Sequence, residues 1–332
     1  MPHGEPKLSQ FEQLPTEIVQ VIFIYSYNIS LPMASPVFSQ QLSAEDIYVR
    51  CATELLFRER DSEPSYSDAA VSRMLQCKWM SWRIFKMAVE ECHCRTNRRI
   101  RDEKGLSNEE ETGFVPHIIP YLDPSFDDPG PRFYLHLNSA VQLPEKVLRG
   151  PWTADTTAFL TYLICSKVSI DWELSSRGEV ATAGLDSAIT ARNRTAVVCL
   201  LTQTAGVVPT VAHLKSAVMD HGCDQTIVVH IVLAALSAQI RGKWRGHSLT
   251  DVNFRDAALW SWASRVKRLG GEQGRKAEWL TMVLRYAADA VVSNGRFDEV
   301  AYDDFMRVCG RDEDEIEALA VPGLYECSDD EA

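Results

Sequence analysis

The chain has 332 residues, 45% of them hydrophobic and 24% charged, and a net charge of −12. These proportions are those of a globular protein with room for one large domain or two. The acidic balance argues against broad nucleic-acid binding, and no run of 18 apolar residues offers a membrane span.

Residues 1–10 are polar and expected to be loose. The opening Met-Pro-His-Gly-Glu-Pro-Lys lacks a charged region feeding an apolar one, so no secretory leader is expected. Nine cysteines at irregular spacing fit a reducing compartment, cytoplasmic or nuclear.

Residues 15–27 predict a short helix. Pro15 suits a first turn, and Glu17 sits well against the helix dipole. Ile18, Ile22 and Tyr25 fall on one face, with Val19 and Phe23 on the flank beside it. Asn28 and Leu31-Pro32 end the run. A further helix is expected from Ala44 to Phe57, and a charged connector from Arg58. Helical spacing of Val71, Met74, Leu75, Trp79, Trp82, Phe85 and Val89 predicts helix from Ser67 to about His93. Residues 95–131 have little periodicity and several prolines, and read as a linker or insertion.

From Arg132 onward the pattern is helical and strand-like alternation is scarce. Leu185 to Asn193 aligns with Leu214 to Gly222 at an offset of 29 residues, each followed by an aliphatic helix, Ala196 to Leu201 and Thr226 to Ala235. Small Ala and Ser side chains at these positions let helix pairs stack closely. Thr157 to Cys165 reads as the second helix of an earlier pair. Ala257 to Val266 and Ala277 to Ala290 read as a later one, spaced by Gly270-Gly271-Glu-Gln-Gly274. The arrangement is ankyrin-like, although the Thr-Pro-Leu-His tetrad is missing and another α-solenoid remains open. Acid concentrates in residues 312–317 and in the last five residues, and an acidic tail is expected from 311 to 332.

Two segments carry a family resemblance. Leu14-Pro15-Thr16-Glu17-Ile18, then Ile22-Phe23, then the turn leading to Leu31-Pro32-Met33-Ala34-Ser35-Pro36 resemble the opening of the F-box-like proteins of filamentous fungi. Leu143-Pro144-Glu145-Lys146-Val147-Leu148-Arg149-Gly150-Pro151-Trp152-Thr153 resembles a mid-chain signature of the same family. The pattern's closing Trp-bearing helix is not matched at Ser43 to Arg50.

With the helical patterning, this gives an expected all-α protein in five parts: residues 1–10 loose, 11–60 an F-box-like unit by resemblance, 61–131 a helical linker and long loop, 132–310 ankyrin-like repeats, 311–332 the acidic tail. The function is what the resemblance implies: a non-enzymatic substrate receptor of an SCF-type ubiquitin ligase. Leu14, Pro15, Glu17, Ile18, Ile22 and Phe23 would then hold a Skp-type adaptor. The repeat turns at Arg192, Asn193, Arg194, Asp220 and His221 would hold a protein client. The alternative is a non-ligase scaffold whose first helix only caps its own core. Docking requires Ile18, Ile22 and Phe23 to be at least partly exposed; capping would bury all three.

Other candidates carry blander readings. Cys92-His93-Cys94, with Cys77 upstream, has the wrong spacing for a zinc knuckle and reads as packed helix cysteines. Arg95, Arg98, Arg99 and Arg101 read as a solvated helix end. Trp79, Trp82, Trp260 and Trp262 have helical spacing and read as core. Gly270 to Lys276 has Ala277 where a phosphate-binding loop needs a hydroxyl. Asp220 and His221 read as turn formers or ligand contacts. Ser328, before Asp329-Asp330-Glu331, resembles an acidic-directed phosphorylation site. No metal, cofactor or catalytic signature is expected.

Overall fold

A computed structural model describes residues 9–56, 68–104, 137, 140–166, 168–170, 177–202, 205–244, 250–290 and 307. The described residues form helices and no strand; one isolated parallel bridge joins Gln142 to Ser169. The acidic tail, Ser328 and most of the expected linker lie outside the described residues.

The chain divides into two compact units. Of the described residues, the first takes 9–56, 68–104, 137, 140–146, 165–166 and 168–169; the second takes 147–164, 170 and those from 177 on. One division between the units falls between Lys146 and Val147, inside the mid-chain signature. The 11–60 stretch does not stand apart from residues 68–104, because the helices of both stretches share one core.

That core is built from α1 (Thr16–Ser26), α2 (Leu31–Ala34), α3 (Pro36–Gln41), α4 (Glu45–Leu56), α5 (Asp68–Gln76) and α6 (Trp82–Lys104). α1 ends where Tyr27 takes a left-handed conformation, φ 54°. Two glutamines tie it down: Gln20 donates to the Gln41 carbonyl at 3.1 Å, and Gln41 donates to the Leu14 carbonyl at 3.2 Å. α4 and α6 run parallel, since Glu45 pairs with Arg83 at their starts, and Glu54 near the end of α4 with Arg95 midway along α6, at 2.8 and 2.7 Å. Phe23, Leu42, Cys51, Leu55, Met74, Leu75, Met80 and Phe85 fill the interior. Each large side chain so buried is worth about 1.5–3 kcal/mol.

The single helix expected over Ser67–His93 is two helices. The break at Cys77–Ser81 frees carbonyls that Lys146 caps: its Nζ donates to the Cys77 oxygen at 2.5 Å and the Met80 oxygen at 2.6 Å. α6 also runs on to Lys104, past the expected start of the loop at 95.

The chain leaves the first unit in the single turn α7 (Glu145–Leu148). The second unit continues with α8 (Ala154–Cys165), α9 (Arg177–Thr190), α10 (Arg194–Leu201), α11 (Val211–Lys215), a π-helical turn (Ser216–Asp220), α12 (Gln225–Trp244), α13 (Ala257–Lys267) and α14 (Gly271–Ala290). α9/α10, α11/α12 and α13/α14 are successive helix pairs. α9 meets α11 and the π turn, which meets α13; on the other layer α10 meets α12 and α12 meets α14. α8 joins that second layer through Thr161, whose hydroxyl lies 3.3 Å from Cys199 Sγ. Ala188, Ala196, Ala235, Ala263 and Ala277 are buried in the stack, where small side chains permit close approach. Leu185 and Ala188 of one pair and Leu214 and Ala217 of the next are all buried, as the 29-residue offset requires. α14 begins six residues earlier than expected, because the turn after α13 is completed within Arg268–Gly270, with Gly270 and Gly271 at φ 69° and 62°.

Candidate functional sites

The first candidate is the outer face of α1. The helix is apolar nearly all round, so periodicity alone does not tell which side is covered. Val19, Phe23 and Ile24 turn inward. Phe23 meets Tyr48 edge-on at 6.0 Å and Trp79 at 6.4 Å, while Trp79 stacks on Tyr48 at 4.8 Å. Phe23 is therefore core and is removed from the candidate docking residues; of the three side chains that docking was expected to expose, Ile18 is open and Ile22 half-buried, while Phe23 is buried as the capping alternative expects.

The opposite side stays open. Ile18, Val21 and Tyr25 are 47, 52 and 60% exposed, and Met33 beyond the helix 70%. Pro15 and Glu17 are exposed, and Leu14 and Ile22 half-buried. Val21, Tyr25 and Met33 are the additions to the sequence-derived set. For Val21 and Tyr25 the signal was present, since Ile18, Val21, Ile22 and Tyr25 share one face at i, i+3, i+4 and i+7.

The repeat-turn residues separate by role. Asn193 caps α10, its Oδ1 accepting from the Ala196 N–H at 2.9 Å, while its amide donates to Thr157 Oγ1 at 3.0 Å and the Trp152 carbonyl at 3.5 Å. This is a structural joint, so Asn193 leaves the candidate client set. Arg194 makes a fork to Asp224 Oδ2 through Nε and a terminal nitrogen, at 3.0 and 2.9 Å, and thus links the second helices of consecutive pairs. Arg192 is exposed at φ 52°, with its guanidinium against Gly222. Asp220 ends the π turn and is exposed; His221 is half-buried. Arg192, Asp220 and His221 thus lie on neighbouring turns, available to solvent.

His213, which the sequence did not single out, is buried beneath these turns. Its Nδ1 accepts from the Thr210 N–H at 2.9 Å, and its Nε2 faces Asp186 Oδ1 at 3.2 Å. Burial lowers its pKa, opposed by Asp186, so the neutral ring with the proton on Nε2 fits both partners.

Cys92, His93 and Cys94 do not converge. Cys92 donates to the Thr53 carbonyl at 3.7 Å, His93 is buried and Cys94 exposed. Among the described residues no group of three or more His, Cys, Asp or Glu is placed to hold a metal. Burial pushes the Cys51, Cys92 and Cys223 thiols up to about 12. In the basic cluster, Arg95 is committed to Glu54 and Glu91. No described helix is long and apolar enough to cross a membrane.

The mid-chain signature supplies joints. Trp152 donates its indole N–H to Ser187 Oγ at 3.2 Å, and the Thr153 hydroxyl accepts from the Thr156 N–H at 3.2 Å to start α8. Burial lowers the Lys146 ammonium to about 8, opposed by Cys77.

No protein-family model, curated protein or solved structure matches this chain.

Proposed function

We propose that the chain is a non-enzymatic interaction protein that holds a Skp-type adaptor on the outer face of α1 and a client on its helix pairs, as the substrate receptor of an SCF-type ubiquitin ligase inside the cell, with the downstream pairs acting as ankyrin-like repeats. One observation carries the docking half: three apolar side chains, Ile18, Val21 and Tyr25, are about half open on a helix whose other side is fully packed. An exposed apolar stripe on a helix is suited to a partner's groove. The two sequence signatures support naming the partner as a Skp-type adaptor.

The test is gel filtration of the purified chain mixed with that adaptor. A stable complex is expected, lost in the Ile18→Asp/Val21→Asp variant while helical content and melting are kept. No complex with the wild-type chain would remove the ligase assignment. The second reading, a scaffold with α1 as a cap, is favoured by the burial of Val19 and Phe23. It predicts that Ile18→Asp/Val21→Asp changes no interaction.

A further inference from the structure

We propose that a cleft between α13 and α14 binds an acidic peptide segment of a client protein. Arg255, Trp260, Arg285, Ala288 and Asp289 line about 410 Å³ of open space. Arg255 stands just before Asp256, the cap of α13, and Trp260 follows in the first turn. The Trp260 N–H donates to the Phe254 carbonyl at 2.9 Å, which fixes the indole at the lining of the cleft. Arg285, Ala288 and Asp289 come from the last turns of α14.

The cleft concentrates positive charge on an acidic protein. The Arg255 and Arg285 side chains are 74 and 75% exposed, and one carboxylate, Asp289, lies near both, at 3.8 and 4.0 Å. Direct N–H···O bonds span about 2.7–3.2 Å, so neither guanidinium is committed to Asp289. Asp289 offsets one of the two positive charges and leaves a net positive charge at the cleft. A second carboxylate, from a ligand, can take the paired donors of a guanidinium fork, an arrangement stronger than a neutral hydrogen bond. An apolar residue beside that acid would lie on the Trp260 indole, over the small Ala288. With a net charge of −12, the chain has no general attraction for acidic partners, so recognition must be local.

This deepens the client half of the proposed function and rests on it, but not on the α1 face. The probe is a fluorescent hexapeptide of alternating Glu and Leu, titrated by anisotropy against the full chain at low salt, with the Gln-for-Glu peptide as control. Saturable binding is expected, at least about tenfold weaker for the Gln peptide and for Arg255→Gln/Arg285→Gln. Both arginines are mostly solvated, so this variant should keep its circular dichroism and melting temperature. Arg285→Lys should bind at an intermediate level, keeping the charge without the fork. Ile18→Asp/Val21→Asp should bind the peptide as the wild type does, so peptide binding and adaptor binding fail separately. Undiminished binding by Arg255→Gln/Arg285→Gln, or no binding by the wild type, overturns the proposal. Binding that appears only when residues 311–332 are removed overturns it too, and assigns the cleft to the chain's own acidic tail.

Discussion

Gly184 and Leu148 touch where no side chain fits: a Cβ on Gly184 would lie 1.9 Å from the Leu148 carbonyl oxygen. The clash is with backbone, so relief requires moving α7 or α9 rather than turning a side chain. Gly184→Ala is expected to destabilise the second unit by about 1–3 kcal/mol despite its better helix propensity. Urea denaturation checks this; a neutral or stabilising result would refute the close approach.

Asn193→Ala removes a helix cap and two further bonds at once. A loss of about 2 kcal/mol is expected. Arg194→Ala, one residue on, breaks the fork to Asp224 from a side chain 63% exposed. That change should cost less than about 1 kcal/mol. Thermal melts of the two variants should separate the joint from the surface bridge.

Lys146 links stability to pH. Its folded pKa is lowered from 10.5 to about 8. Below pH 8 both folded and unfolded chains carry the proton, and the burial penalty is fully present. Between 8 and 10.5 the unfolded chain binds more protons, so the Lys146 contribution becomes more favourable as pH rises. Cys51, Cys92 and Cys223 act in the opposite direction, because folded thiols near 12 keep protons that unfolded thiols lose from about 9. The stability of the wild type minus that of Lys146→Met, both carrying Cys77→Ser because that thiol is coupled to Lys146, cancels the other cysteines. This difference should grow from pH 8 to 10.5; a flat difference would count against a buried ammonium.

Thiol reactivity should follow burial. Iodoacetamide applied to the native chain is expected to label Cys94 well before Cys51, Cys92, Cys199 and Cys223, which are all buried. Mass spectrometry of the peptides reads the order. Early modification of Cys92 ahead of Cys94 would contradict the packing of α6 on α4.

Much of the helical order was legible in the chain. The α1, α4 and α13 limits follow closely from Pro15 and the 3.6-residue spacing, which are local signals. The 29-residue offset put Leu185 and Leu214, Ala188 and Ala217 in equivalent places because stacked pairs demand small or apolar residues at repeated positions. The break at Cys77–Ser81 was not legible, since the residue that caps its carbonyls, Lys146, is 69 positions from Cys77. The Arg255–Trp260–Arg285 cleft was missed for the same reason: its residues come from two helices and the loop before one of them, and no spacing rule connects them.

Residue type and spacing by themselves determined that this protein is built of helices, where most of them lie, and that α1 carries apolar side chains around its circumference. Only tertiary packing decided which side of α1 is swallowed, sending Phe23 to Tyr48 and Trp79 and leaving Ile18, Val21 and Tyr25 outside. Helix formation is set by neighbours three and four residues away, whereas burial depends on what distant segments bring to each face, and that information is spread over the whole chain.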